Sequence, residues 1–238
     1  MRDEHHDGCP VLEREDALPQ VPRHPAPWQL TASAYVLAVR MPEEILDRQS
    51  FVPPSLAGKR CGDISFFLYV DYSATNCGPY REIIFAPALY DFGEGRYPTI
   101  TRIYVETYDS VVNGRLNWGI PKDRADFQHE REGKVDRVRV SRDGHVFADM
   151  RFAPYSLPMP VTSWLLPAGL RTLMQHWQGK SYRFTLSAKG MLRLGKLVDW
   201  HFDPKFFPDL ARGKVIAGAY FPKFEMTFPV ATVQDGLV

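Results

Sequence analysis

A chain of 238 residues with 45% hydrophobic and 13% aromatic residues has the composition of a globular protein with an aromatic-rich core, which excludes disordered and fibrous classes. Its formal net charge of +1 leaves no basic face to displace counterions from phosphates, so nucleic acid and a polybasic membrane anchor are both set aside. No apolar run approaches the roughly 20 residues of a membrane helix, the charged start lacks a signal-peptide core, and three sparse cysteines are no disulfide framework, so a cytoplasmic protein with reduced thiols is expected.

Residues 1–26 carry Pro10, Pro19, Pro22 and Pro25 among charges. Such a segment has too little apolar surface to offset its ordering entropy. It is expected to be a flexible proline-rich arm, or an extended strap over the body or a neighbouring subunit. His5, His6, Asp7 and Cys9 match no compact zinc spacing, so no metal is assigned.

Residues 27–238 read as one mainly β domain. Ala34 to Val39, Ile64 to Tyr72, Glu82 to Phe85, Thr99 to Glu106, Val135 to Val140, His145 to Phe152, Tyr182 to Ala188 and Val215 to Phe228 have strand composition. Asp143-Gly144 between two alternating runs predicts a hairpin. Helices are few: a short one near Pro42 to Leu46, and one from an Asp109 cap to Asn117, stopped by Gly119 and Pro121. Strands without βαβ alternation predict a mainly β or α+β fold, an antiparallel barrel or cone with a few short helices.

Nucleotide, nucleophile-elbow and zinc-helix motifs are all absent, and no cofactor is expected. His176 and His201 fit structural positions better than catalytic ones. The informative stretch is Asn113-Gly114-Arg115-Leu116-Asn117-Trp118-Gly119-Ile120-Pro121-Lys122. A lysine delivered by an apolar, proline-fixed turn can point into a barrel interior instead of water. Burial disfavours the ammonium, and a neutral amine attacks carbonyls to form an imine, whose protonated form is an electron sink. From spacing alone, a surface lysine with its ammonium in water is the favoured reading.

Gly114-Arg115 followed by Pro121-Lys122 resembles the signature of the acetoacetate decarboxylase family. Thr99 to Val105 is similar to the strand entering its helix, and Tyr80-Arg81-Glu82 to its Tyr-x-Glu segment. The resemblance implies that Lys122 is the Schiff-base residue and Glu82 an active-site acid. It also implies a small-molecule carbonyl substrate and a homo-oligomer. Trp118, Ile120, Phe66 and Phe67 would supply an apolar pocket, with Arg81 as a possible carboxylate anchor. Departures fall at recognition positions. Ser33 stands where the family has an arginine, Phe67 where it has a second acid, Leu116 replaces a glutamate after Gly-Arg, and Asp123 follows the lysine.

Three functions stay open. The first is a Schiff-base lyase acting on a β-keto acid or related carbonyl compound. The second is an aldolase or dehydratase using the same lysine. The third is a non-catalytic barrel binding a hydrophobic small molecule.

Overall fold

The computed structural model describes residues 12–235. An eleven-stranded sheet dominates it. Its hydrogen-bonded path runs Lys122–Arg124, Arg102–Val105, Tyr80–Ala86, Ile64–Ala74, Trp28–Arg40, Lys214–Phe228, Ser187–Phe202, His145–Pro154, Val135–Arg142 and Asp126–Glu132, with Met159–Thr162 attached beside Ser187–Phe202. All neighbours are antiparallel except Arg102–Val105 with Lys122–Arg124. The mainly β class therefore holds.

The two end strands of that path are consecutive in the chain, separated by Ala125 alone. The sheet must curl until its edges meet, yet no ladder joins them. The expected barrel is thus an open sheet closed by the chain and not by hydrogen bonds. Inside the curl lies one core, with Tyr35, Leu37, Phe67, Phe85, Phe152 and Phe202 among its members. Aromatic rings fill it, and Phe67 touches Phe152, Trp200, Phe202 and Phe207.

A second core covers the outer face of the sheet, where Leu30, Val70, Ile84 and Ile103 meet Val111, Trp118 and Ile120. The cover is the helix Tyr108–Trp118. Its cap differs from the expected one. Thr107, not Asp109, accepts from the Ser110 amide, and Asp109 sits in the first turn. There its charge suits the helix dipole. The helix stops as expected at Gly119, which has φ 62° and donates to the Arg115 carbonyl. A Cβ at Gly119 would stand 2.5 Å from the Tyr182 ring.

Asp143 and Gly144 both have positive φ, and the strands on either side pair as read from the sequence. One reading was incomplete. The expected Tyr182–Ala188 strand breaks at Leu186, and a 16-residue strand, Ser187–Phe202, runs on through Arg193 and Lys196. Both faces of that strand are partly exposed, so its pattern carries no clean alternation.

Residues 12–26 lie against the body of the domain. They form a strap over the helix. Asn113 donates to the Pro22 carbonyl and accepts from the His24 amide, and Asn117 donates to the His24 carbonyl. These side-chain bonds stand in for the apolar burial that the segment lacks. Residues 1–11, including His5, His6, Asp7 and Cys9, lie outside the described residues.

Candidate active site

Lys122 is 5% exposed, and its position follows from three local features. Pro121 ends the turn after Gly119, and Lys122 opens a three-residue strand paired with Ile103. Arg115 donates from Nε to the Lys122 carbonyl at 2.8 Å, fixing the backbone. Gly114 then lets the side chain pass: a Cβ there would meet Lys122 Cδ at 2.6 Å and Cε at 2.7 Å. The glycine of the Gly-Arg pair is the channel for the lysine stem, and the arginine is its backbone anchor.

The amine therefore points away from the curl's interior, into the core between the outer sheet face and the helix. The expectation of a barrel-interior lysine is corrected accordingly. Nζ donates to Ser110 Oγ at 2.9 Å, Glu82 Oε2 at 3.2 Å and Tyr80 OH at 3.3 Å. Glu82 Oε1 accepts from Tyr72 OH at 2.7 Å. Burial raises the Tyr72 and Tyr80 phenols well above the ordinary tyrosine range, and the nearby Glu82 charge pushes the same way. Both remain neutral hydroxyls at any physiological pH.

A cavity of about 20 Å³ adjoins the pair, with Leu30, Ile84, Ile103, Trp118 and Ile120 in its wall. That is room for roughly one water. Anything larger must open the wall.

Lys122, Glu82, Trp118 and Ile120 are thus gathered at one place. Three other candidates are not. Phe67 lies on the opposite sheet face, in the interior core. The cavity side of its strand instead carries Leu68, Val70 and Tyr72. Phe66 shares that side, but Val70 pairs with Glu82, which puts Phe66 four residues away, about 13 Å along the strand. Its side chain is 40% exposed. Arg81 also faces the other way, held by Glu106 at 3.2 Å and Asp71 at 3.5 Å. For Phe67 and Arg81 one-residue alternation decides the face, and for Phe66 the distance along the strand decides.

Asp123, the neighbour of Lys122, points oppositely as well. It is fully buried and paired with Arg142 at 2.6 Å. Arg102 donates to the Phe206 carbonyl and to Tyr104 OH, away from the cavity. His176 meets Ser55 Oγ at 2.8 Å, and burial lowers its pKa. Among the described residues, no three metal-ligating side chains gather.

Sequence reasoning missed Tyr72, Tyr80 and Ser110. The signals were present: Tyr80 stands two residues before Glu82, hence on its face, and Ser110 stands one helical turn before Gly114. Also unforeseen was the strap's reach to the site. Arg115 donates from Nη1 to the Glu13 carbonyl and to Glu15 Oε1.

The curled antiparallel sheet thus carries a buried lysine–carboxylate pair beside an apolar cavity, under a short helix. The acetoacetate decarboxylase (ADC) family model matches residues 13–204, and the chain belongs to that family. No curated protein matches. Among solved structures, the acetoacetate decarboxylase of Legionella pneumophila is 13% identical with a TM-score of 0.70, 94% of each chain being covered. An acetoacetate decarboxylase-like enzyme from Sphingomonas wittichii RW1 is also 13% identical, with a TM-score of 0.67, covering 89% of this chain and 94% of that one. The enduracididine biosynthesis enzyme MppR, solved with the condensation product of pyruvate and imidazole 4-carboxaldehyde, is 13% identical with a TM-score of 0.61 and coverage of 90% and 91%. At this identity the likeness establishes the fold.

Proposed function

We propose that this protein is an enzyme that uses Lys122 to form a Schiff base with a carbonyl substrate, with Glu82 moving the protons. The observation that carries the reading is the Lys122–Glu82 pair, 3.2 Å apart and buried in the wall of an apolar cavity. Membership of a family with enzyme relatives supports it.

The steps follow from the contacts. A proton passes from Nζ to Glu82 Oε2, leaving a neutral amine and a neutral acid. The nitrogen lone pair attacks the carbonyl carbon, and the carbonyl oxygen takes a proton from the acid. Loss of that oxygen as water leaves the protonated imine opposite the Glu82 carboxylate. Tyr80 OH, 3.3 Å from Nζ, is placed to donate to the departing oxygen. Tyr72 holds Glu82 in one rotamer while it changes charge.

From a β-keto acid, the bond to the carboxylate breaks, its electron pair flows into the iminium, and carbon dioxide leaves. The enamine is protonated at carbon, and water releases the ketone and the free amine. The condensation product bound in MppR favours a second outcome of the same intermediate, attack of an enamine carbon on another carbonyl.

The test is borohydride trapping with a small aldehyde, followed by peptide mapping. The expected result is a reduced adduct on Lys122 that disappears in Lys122→Met. An unlabelled protein removes the mechanism and leaves a barrel-like binder of apolar molecules.

A further inference from the structure

We infer that the substrate of this site is an uncharged ketone or aldehyde with a hydrocarbon substituent, carrying no carboxylate. This rests on the imine reading above and narrows it.

Twelve residues line the cavity, and Lys122 and Glu82 are the charged ones; the other ten are tryptophan, tyrosine, phenylalanine, leucine and isoleucine. The one cation is therefore the reacting amine, and its charge is already matched by Glu82 at 3.2 Å. Forming the protonated imine changes nothing in this balance, since one positive charge again faces one carboxylate. A substrate carboxylate one carbon from the reacting carbonyl would enter beside Glu82 as a second anion. An anion taken from water without a cationic partner keeps its full desolvation cost.

The arginines near the site are committed elsewhere. Arg81 faces the interior with Asp71 and Glu106. Arg102 donates to the Phe206 carbonyl. Arg115 holds the Lys122 carbonyl and the strap's Glu13 and Glu15. Its remaining nitrogen, Nη2, is buried without a hydrogen-bond partner, in a guanidinium that lies over the Trp177 ring and is not part of the cavity lining. Among the described residues, none reaches the cavity. The Tyr72 hydroxyl is already given to Glu82, so the Tyr80 hydroxyl is the one phenol left beside the amine, a partner for a carbonyl oxygen that supplies no positive charge to a second carboxylate. An alkyl group in contrast, once the wall opens to admit it, would meet Ile84, Ile103, Trp118 and Ile120 and leave water behind.

The substrate class selects the reaction. With no carboxylate to lose, the imine is drained through an α C–H bond. The proton goes to Glu82, the C–H electron pair becomes the enamine double bond, and the iminium pair returns to nitrogen. A second carbonyl compound then accepts the enamine carbon, its oxygen takes the proton from Glu82, and water releases Lys122. The reverse sequence cleaves a β-hydroxy ketone.

The experiment is borohydride trapping on the full chain with matched sets: a 2-alkanone, a β-keto acid and a γ-keto acid of equal chain length, plus a small aldehyde. The γ-keto acid cannot decarboxylate through the imine, so its labelling reports carboxylate tolerance alone. Half-maximal labelling of Lys122 by the alkanone at a concentration about tenfold or more below that of either keto acid is expected. Lys122-dependent exchange of the alkanone's α-protons in deuterium oxide should accompany it. A keto acid that labels at an equal or lower concentration overturns the substrate class and leaves the imine reading standing. No label from any compound, the aldehyde included, overturns the imine reading and the substrate class with it.

Discussion

Arg81 and Glu82 are neighbours in one strand, yet the protein treats their charges in opposite ways. On the interior face, Arg81 meets Asp71 and Glu106, and Asp71 in turn meets His129, which bonds Asp136. Arg131 and Tyr35 complete the set around Asp136. On the outer face, Glu82 has one cation, Lys122, and one phenol, Tyr72, with Tyr80 accepting from the amine, inside an apolar wall. The first face shares its charges over a network that reaches solvent through Arg131 and His129. The second isolates a single pair beside a cavity. A network distributes the consequence of moving a proton, whereas an isolated pair concentrates it at one nitrogen, which is what carbonyl chemistry needs.

The largest expected effect breaks that isolated pair. Lys122→Met or Glu82→Gln alone leaves a buried charge without its partner, which costs about 3–5 kcal/mol. The double variant should recover much of that loss, read as the denaturant midpoint at constant slope. Recovery in the double variant is the decisive outcome; equal losses that simply add would mean the two groups do not act as a pair.

Gly114→Ala comes next. Its Cβ would stand 2.6 Å from Lys122 Cδ, so either the helix or the lysine stem shifts. A cost of about 1–3 kcal/mol is expected from overpacking. Borohydride labelling of Lys122 should slow by more than about tenfold, since misplacing a reacting group costs rate out of proportion to stability. Unchanged labelling would show that the lysine does not need this channel.

The interior network predicts the pH dependence of stability. Hydrogen bonds from His129 to Asp136 and then Asp71 raise its pKa from 6.5 to about 9. A raised folded-state pKa contributes stability that is complete below about 6.5 and lost as pH climbs past about 9. The loss should be on the order of 2 kcal/mol and absent in His129→Gln. The carboxylates behave oppositely. Asp71 is lowered, chiefly by its hydrogen bond with His129. For Asp136 burial acts upward, but His129, Tyr35 and Arg131 outweigh it and the net direction is down. Their contribution is present above the ordinary carboxylate pKa and lost on acidification below it. Melting curves from pH 4 to 10 check both limbs, and a flat profile between pH 6.5 and 9 would reject the His129 assignment.

Smaller effects sharpen the boundary of the site. Glu15 is 44% exposed, so Glu15→Gln should cost no more than about 1 kcal/mol. Through Arg115 it should still slow labelling a few-fold, with the pH profile unchanged. Phe66→Ala, on an exposed side chain, should change stability by less than about 0.5 kcal/mol and leave labelling as it was. A large effect there would return Phe66 to the site.

Local signals determined a good deal of this protein by themselves. Strand composition predicted the mainly β class, Asp143-Gly144 its hairpin, and Gly119-Pro121 the end of the helix. Lys122 and Glu82 were singled out only by the resemblance of Gly114-Arg115, Pro121-Lys122 and Tyr80-Arg81-Glu82 to a family's motifs, because their spacing alone favoured surface positions. The strands, the hairpin and the helix end depend on residues a few positions apart, where backbone sterics and side-chain period dominate. Tertiary structure alone decided which sheet face became the site. Alternation shows that Glu82 and Arg81 point apart, and equally Phe66 and Phe67, but not which of the two faces meets a helix. It also decided that the lysine lies outside the curl and that Glu13 and Glu15 of the strap reach Arg115. Those contacts join residues about a hundred positions apart, and no local period records them.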